Sequence, residues 1–245
     1  MDRQFVLDLA ASHQRMPIGT DLVLREKPDQ DQIVLDGAAL GAVVAEAAQR
    51  YKTPLAIPLM DLTIEKSQML SCLGVPAAAR DTHHLGACPT EADKLAVDAG
   101  FGKPLTPRLA ANVGAVRYVA EKTDLVPCGM CIGPFSLMVK LLDDPISAVY
   151  VAGTGATGDE EPDVRTVEET LDLCVRVITG SIRAQAAAGA KMIVVAEPAA
   201  NLVYISPKQL ARGSDVFERL VMRFDREVVA TIRGLGMLLF FHCCG

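Results

Sequence analysis

Lys191-Met-Ile-Val-Val-Ala-Glu-Pro198 is an apolar run that ends abruptly on a carboxylate and a proline. It reads as a buried strand that Glu197-Pro198 closes. Upstream, Thr166 to Ala188 reads as a long helix stopped at Gly189. Downstream, Ser206-Pro207 and then Ser214 open two further helices, and Met237-Leu-Leu-Phe-Phe241 is the next apolar strand. The same unit recurs toward the N-terminus. Leu125 to Ile132 is a strand closed by Gly133-Pro134, and a helix opened by Thr106-Pro107 and running to about Lys122 precedes it. Pro54 to Met60 is a strand ending in Asp61, after a helix over Asp31 to Tyr51 with Val34, Ala38, Val43 and Ala47 near helical spacing. Ile18 to Leu24 is a first short strand.

Strands alternating with helices imply an α/β fold with a parallel sheet and right-handed crossovers. Several strands end on a polar or Gly-Pro tip: Asp61, Gly133-Pro134, Glu197 and His242. Functional groups at the carboxyl ends of successive strands are the habit of the eight-stranded β/α barrel, although a doubly wound sheet would use the same ends. The expectation is a single domain over residues 1–245, an incomplete barrel of about five parallel strands in chain order. About three β/α units would then be missing. On this reading the chain is the front part of a longer enzyme, and alone it would aggregate, bind zinc weakly and be inactive.

The chain is 50% hydrophobic and 22% charged, with a formal net charge of −6, four Tyr and no Trp. With no basic block, nucleic-acid binding is a poor fit. No uninterrupted apolar stretch is long enough to span a membrane, and Met1-Asp-Arg-Gln-Phe lacks the pattern of a secretion signal. Seven scattered Cys read as reduced thiols of a cytoplasmic protein. The oligomeric state is not legible.

His242-Cys243-Cys244 follows the last apolar run. Alternation on a strand sends His242 and Cys244 to one face and Cys243 to the other. An imidazole and a thiolate converging there make half of a zinc site, and a catalytic zinc takes three protein ligands. The alternative is a buried His beside small apolar thiols. Asp61 and Glu65 follow the second strand as possible acids, bases or anchors, or else Asp61 caps the next helix with Glu65 in its first turn. Glu197 must reach solvent or find a partner. Cys128-Gly-Met-Cys131 lies inside a strand, where i and i+3 face opposite ways, so the pair reads as structural. His83-His84 reads as a solvated loop. Gly153-Thr-Gly-Ala-Thr-Gly158 spells a dinucleotide pattern, but the acidic Asp159-Glu-Glu-Pro-Asp163 follows and the motif is rejected.

At these residues the chain resembles the uroporphyrinogen decarboxylase superfamily over nearly its whole length. Gly133-Pro-Phe-Ser-Leu-Met138 resembles that family's segment after a barrel strand. Ala188-Gly-Ala190 with Glu197-Pro-Ala-Ala and Ile205-Ser-Pro207, and Pro58-Leu-Met-Asp61 through Leu73-Gly74, resemble two others. The resemblance implies a β/α barrel and puts the decarboxylases' catalytic Asp on Asp61. Decarboxylases also carry an arginine-rich segment where this chain has Pro17-Ile-Gly-Thr-Asp-Leu-Val-Leu24, and a Tyr that falls here on Lys140. The other branch, the corrinoid-linked methyltransferases, binds zinc through His-x-Cys and a later Cys, and His242 and Cys244 match the first two ligands. The first expectation is therefore a zinc-dependent methyltransferase moving methyl from a corrinoid protein to a small thiol. Asp61 and Glu197 would be catalytic, Glu65, Gly133 and Asn201 substrate-binding, and His242 and Cys244 metal-binding. The alternatives are a cofactor-free decarboxylase acting through Asp61, and a non-catalytic binding module.

Overall fold

Four parallel strands lie side by side in the order in which the chain makes them: β1 (Leu55–Ala56), β2 (Val126–Ile132), β3 (Met192–Ala196) and β4 (Leu238–His242). The computed structural model describes residues 2–13 and 18–243. Ahead of β1 come α1 (Arg3–Ala11), α2 (Thr20–Leu24), α3 (Gln30–Ile33) and α4 (Gly37–Arg50). Between β1 and β2 lie α5 (Ile64–Cys72), α6 (Glu91–Gly100) and α7 (Pro107–Lys122). Between β2 and β3 lie α8 (Pro134–Leu141), α9 (Pro145–Ala152) and the long α10 (Pro162–Ala187). After β3 come α11 (Pro207–Ala211), a π-helical stretch at Glu218–Met222 and α12 (Arg223–Gly234). Among the described residues no helix is long and apolar enough to cross a membrane.

The strand order never reverses, as it would in a doubly wound sheet. Alternation divides the side chains between two cores. Cys128, Met130, Met192 and Val194, with Leu238 and Phe240, share one cluster. Cys131, Ile193 and Val195, with Leu239, share the other with the helix layer. The two thiols of Cys128-Gly-Met-Cys131 thus face opposite ways, as strand geometry requires. The first cluster is the interior face of an arc of β/α barrel, and Phe5, Val6 and Leu9 of α1 pack against it. On the outer face, α10 buries Val164, Val167, Leu171, Cys174, Ile178 and Ile182, a stripe at spacings of three and four.

Three sequence expectations are corrected. Ile18 to Leu24 is not a strand: α2 buries Thr20, Val23 and Leu24 together, a helical spacing that a two-residue period cannot produce. Among the described residues the strand count is therefore four. The helix expected over Asp31 to Tyr51 breaks, because Asp36 accepts from the Ala38 and Ala39 amides and starts α4 afresh. The strand expected over Pro54 to Met60 keeps only Leu55 and Ala56 in the ladder, opposite Val126 and Pro127.

Where β1 leaves, the edge of β2 would be left with buried, unpaired backbone. Val126 N bonds Pro54 O on the β1 side, and Gly133 N bonds Ala196 O on the β3 side. By alternation the Met130 N–H and C=O face the gap. Gln185 of α10 fills it: Met130 N donates to its Oε1 at 2.9 Å, and its Nε2 donates to Met130 O at 2.9 Å. A side-chain amide here does what a strand would do. Gly129 makes room, since a Cβ there would meet Gln185 Oε1 at 2.4 Å. Glu65 of α5 and Ser181 of α10 continue the polar plug, with Ser181 Oγ donating to Glu65 Oε1 at 2.9 Å and Gln185 Nε2 reaching Ser181 Oγ at 3.1 Å.

Replacing Gln185 by Leu leaves two buried backbone groups without partners. The expected cost is about 2–4 kcal/mol, read as a lower urea midpoint. A change within about 0.5 kcal/mol, the range of an ordinary surface substitution, would remove the plug from the account of the sheet.

Candidate functional site

Because the strands are parallel, their carboxyl ends gather on one side of the sheet. Asp61 stands beyond β1, Gly133 beyond β2, Glu197 beyond β3, and His242 is the last residue of β4. The tips of β3 and β4 are joined directly, since Glu197 N donates to His242 O at 2.9 Å. His242 pairs in register with Ala196 and follows Leu238 and Phe240 on the interior face, half-buried. Cys243 is exposed, its sulfur 4.0 Å from Ala200 O. Cys244 lies outside the described residues. Among the described residues no three His, Cys, Asp or Glu side chains stand together as a metal cluster.

Glu197 belongs to the other side of the sheet. Its carboxylate accepts from Phe135 N at 3.2 Å and Ser136 N at 2.6 Å, the first amides of α8. A carboxylate at that helix end satisfies orphan donors and meets the positive end of the dipole. Ser136 Oγ in turn accepts from Ala199 N at 2.8 Å, which pins the loop after β3. Gly133 is needed for the same contact, because a Cβ there would meet Glu197 Oε2 at 2.0 Å. Burial, with Asp225 nearby, pushes Glu197 up to about 8 against the pull of the Ser136 and Phe135 bonds. Burial alone takes Asp225 to about 7, and its Oδ1 has no partner among the described residues.

The positions of the other expected site residues follow from the same contacts. Glu65 and Glu197 are each 1% exposed; Glu65 bonds within the plug of the sheet and Glu197 the start of α8. Gly133 serves Glu197 by being small. Asn201 spends its side chain locally, donating to Pro198 O and accepting from Val203 N. Asp61 stays at the opening. Its Oδ1 accepts from Thr63 N at 3.0 Å and Thr63 Oγ1 at 2.6 Å, and its Oδ2 pairs with Arg108 of α7. The helix-start geometry considered for Asp61 is thus partly realised, with Thr63 as the N-cap of α5. Arg108 was not singled out from the sequence. Its signal was its place just after Thr106-Pro107, which puts it in the first turn of a helix that begins at the strands' carboxyl ends.

Comparison with known proteins bears on this arrangement. A family model described as uroporphyrinogen decarboxylase matches residues 22–245. No curated protein matches the sequence significantly. Among solved structures, a methyltransferase from Methanosarcina mazei superposes with a TM-score of 0.62 at 14% identity, over 95% of this chain and 63% of that one. At that identity the likeness speaks for the fold, and the chain spans 63% of that protein's length.

The Glu65 carboxyl gives a test of the plug behind the site. Burial raises it to about 7, against the bonds from Ser181 and the backbone, whereas in an unfolded chain it sits at about 4.3. The folded state therefore holds the proton more tightly. This contribution to stability is complete below about pH 4 and is lost as the pH rises through about 7. Glu65→Gln keeps the Ser181 bond and cannot ionise. Its urea midpoint should gain on that of the wild type between pH 5 and pH 8, and parallel profiles would show that Glu65 is not held neutral.

Proposed function

The chain belongs to the uroporphyrinogen decarboxylase family, and we propose that within it this protein is a methyltransferase-type member that moves a methyl group from a corrinoid-bearing partner protein to a small thiol. The observation that carries the reading is His242. It ends β4 on the interior face, at the end of the sheet where Asp61 also stands. Two departures in sequence support it. Pro17 to Leu24 holds no arginine with which to clamp a polycarboxylate, and Lys140 replaces the tyrosine that decarboxylases carry.

The residues that would hold zinc are His242 and, two positions on, Cys244, an imidazole and a thiolate of the donor chemistry zinc favours. A bound zinc would supply the Lewis acidity that keeps a thiol as thiolate near neutral pH. The chain's own part is positional. Glu197 N fixes the His242 carbonyl, and the Glu197 carboxylate is itself held by α8, so the strand tip that aims the imidazole is braced from behind. The interior face below it is apolar, which excludes water from a nucleophile above. Asp61 and Arg108 supply fixed charge at the same end. The decarboxylase reading keeps one observation in its favour, the place of Asp61 at the exit of β1, where that family's catalytic Asp falls.

Metal analysis and methyl transfer from methylcobalamin to a thiol, on the full-length gene product, separate the two. His242→Ala and Cys244→Ala should each cut zinc content and thiol methylation at least tenfold, while Cys243→Ala changes neither, because alternation turns it away. If Cys243 proves the essential thiol, the ligand assignment fails. If zinc is absent and Asp61→Asn abolishes porphyrinogen decarboxylation, the second reading replaces the first.

A further inference from the structure

Cys128, Met130 and Met192 bring three sulfur atoms to the interior face of the sheet. Cys128 and Met130 share that face of β2, two residues apart, and the ladder sets Cys128 opposite Met192 of β3. Neighbouring strands lie about 4.8 Å apart and a two-residue step spans about 6.6 Å, so the unbranched Met side chains can swing their sulfurs onto the thiol. All three residues are buried and the Cys128 thiol is free. Its sulfur lies 3.5 Å from Val126 O, a weak hydrogen bond. Packing alone would favour other residues here. The inside of a β/α barrel is ordinarily filled by branched side chains, and β3 carries Ile193 and Val195 on its outer face. Yet three of the four buried positions that β2 and β3 give to the interior cluster hold sulfur, Val194 being the fourth. Thiolate and thioether donors are soft and select copper(I). Charge points to the same ion. One thiolate and two neutral thioethers balance a single positive charge, whereas a divalent ion would leave a net charge in an apolar interior, which is costly. Burial pushes Cys128 up to about 12, so the free thiol holds its proton until an ion displaces it.

We propose that Cys128, Met130 and Met192 form a binding site for a soft monovalent metal ion, copper(I), inside the barrel arc. On binding, the Cys128 S–H bond breaks, an S–Cu bond forms, the proton leaves to solvent and the metal keeps its oxidation state. The site lies deeper along the strands than His242, whose ladder partner is Ala196, and Met192 begins the same strand. Its donors suit a softer ion than zinc. It stands or falls independently of the methyl-transfer reading.

Silver(I), a soft monovalent ion that keeps its oxidation state in air, serves as the probe. The full-length gene product, isotope-labelled in its methionine methyl groups, is titrated with it and each methionine is followed by magnetic resonance. The Met130 and Met192 signals, assigned by Leu substitution, should shift as silver is added, whereas those of Met69 and Met138, in the outer cluster, should not. Cys128→Val should abolish both shifts. In Met192→Leu, a swap that cores tolerate, the silver concentration that half-shifts Met130 against thiourea as competitor should rise at least about tenfold, the least that even the outer partners of a metal site are worth. The Met variants carry the test if Cys128→Val fails to fold. Silver taken by the exposed Cys243 leaves no mark on these signals. Met130 and Met192 signals that stay in place at silver saturation, shifts that survive in Cys128→Val, or an unchanged midpoint in Met192→Leu would each overturn the site and leave the three sulfurs as core packing.

Discussion

Most of what lies at the strand ends depends on one buried carboxylate. Glu197 leaves β3 on its outer side, and its oxygens meet the Phe135 and Ser136 amides of α8. Its own amide holds the carbonyl of His242 on β4. The end of β2, the start of α8, the loop after β3 and the tip of β4 therefore share one fastening. The arrangement needs a glycine at position 133, and it sets a carboxyl with a raised affinity for protons beside a second one, Asp225. Burying such a group is costly unless hydrogen bonds meet it, and the exposed end of a helix is an effective source of them.

The sequence revealed the strands best where the apolar run is continuous, with both faces of β2 and β3 buried. β2, β3 and β4 are nearly continuous apolar runs, as parallel strands inside a layered fold are, and their expected and observed limits differ by a residue or so. The start of α7 was legible from Thr106-Pro107. Short apolar runs were the weak point. Ile18 to Leu24 carries both periods, and only packing against α4 decides for the helix. The helices α8 and α9 were not read as such. α8 is apolar nearly all round, so it offers no stripe, although Asp144-Pro145 is a usable start signal for α9. The stretch Gly153 to Gly158 follows that helix rather than a strand.

The site residues divide along the same line. The positions of Asp61, Glu197 and His242 at strand ends follow from counting apolar runs. The side on which each acts follows only from alternation carried one residue further. Val195 faces the helices, so Glu197 does too, where its carboxyl meets the first amides of α8. The pairing of Asp61 with Arg108 joins residues 47 positions apart. Thr106-Pro107 places that arginine in the first turn of α7, but nothing local in the sequence names Asp61 as its partner. Its meaning comes from the convergence of two chain segments at one edge of the sheet.

The side-chain plug between β1 and β2 has a consequence for motion. β1 is stitched to β2 by two ladder positions; its Leu55 joins the interior cluster of β2 and β3, while Ala56 packs outward with Val44 and Ala48 of α4 and Val119 of α7. The strands β2 to β4 share their outer core with α8, α10 and α12. On the outer face a seam therefore runs between β1 and β2, bridged by Gln185, Glu65 and α7 rather than by a continuous ladder, and cooperative opening units tend to divide along such lines. Asp61 and Arg108 ride on one side of it and His242 on the other. A molecule that touched both would clasp the two halves, and slowed amide exchange at Met130 would be the mark of its grip.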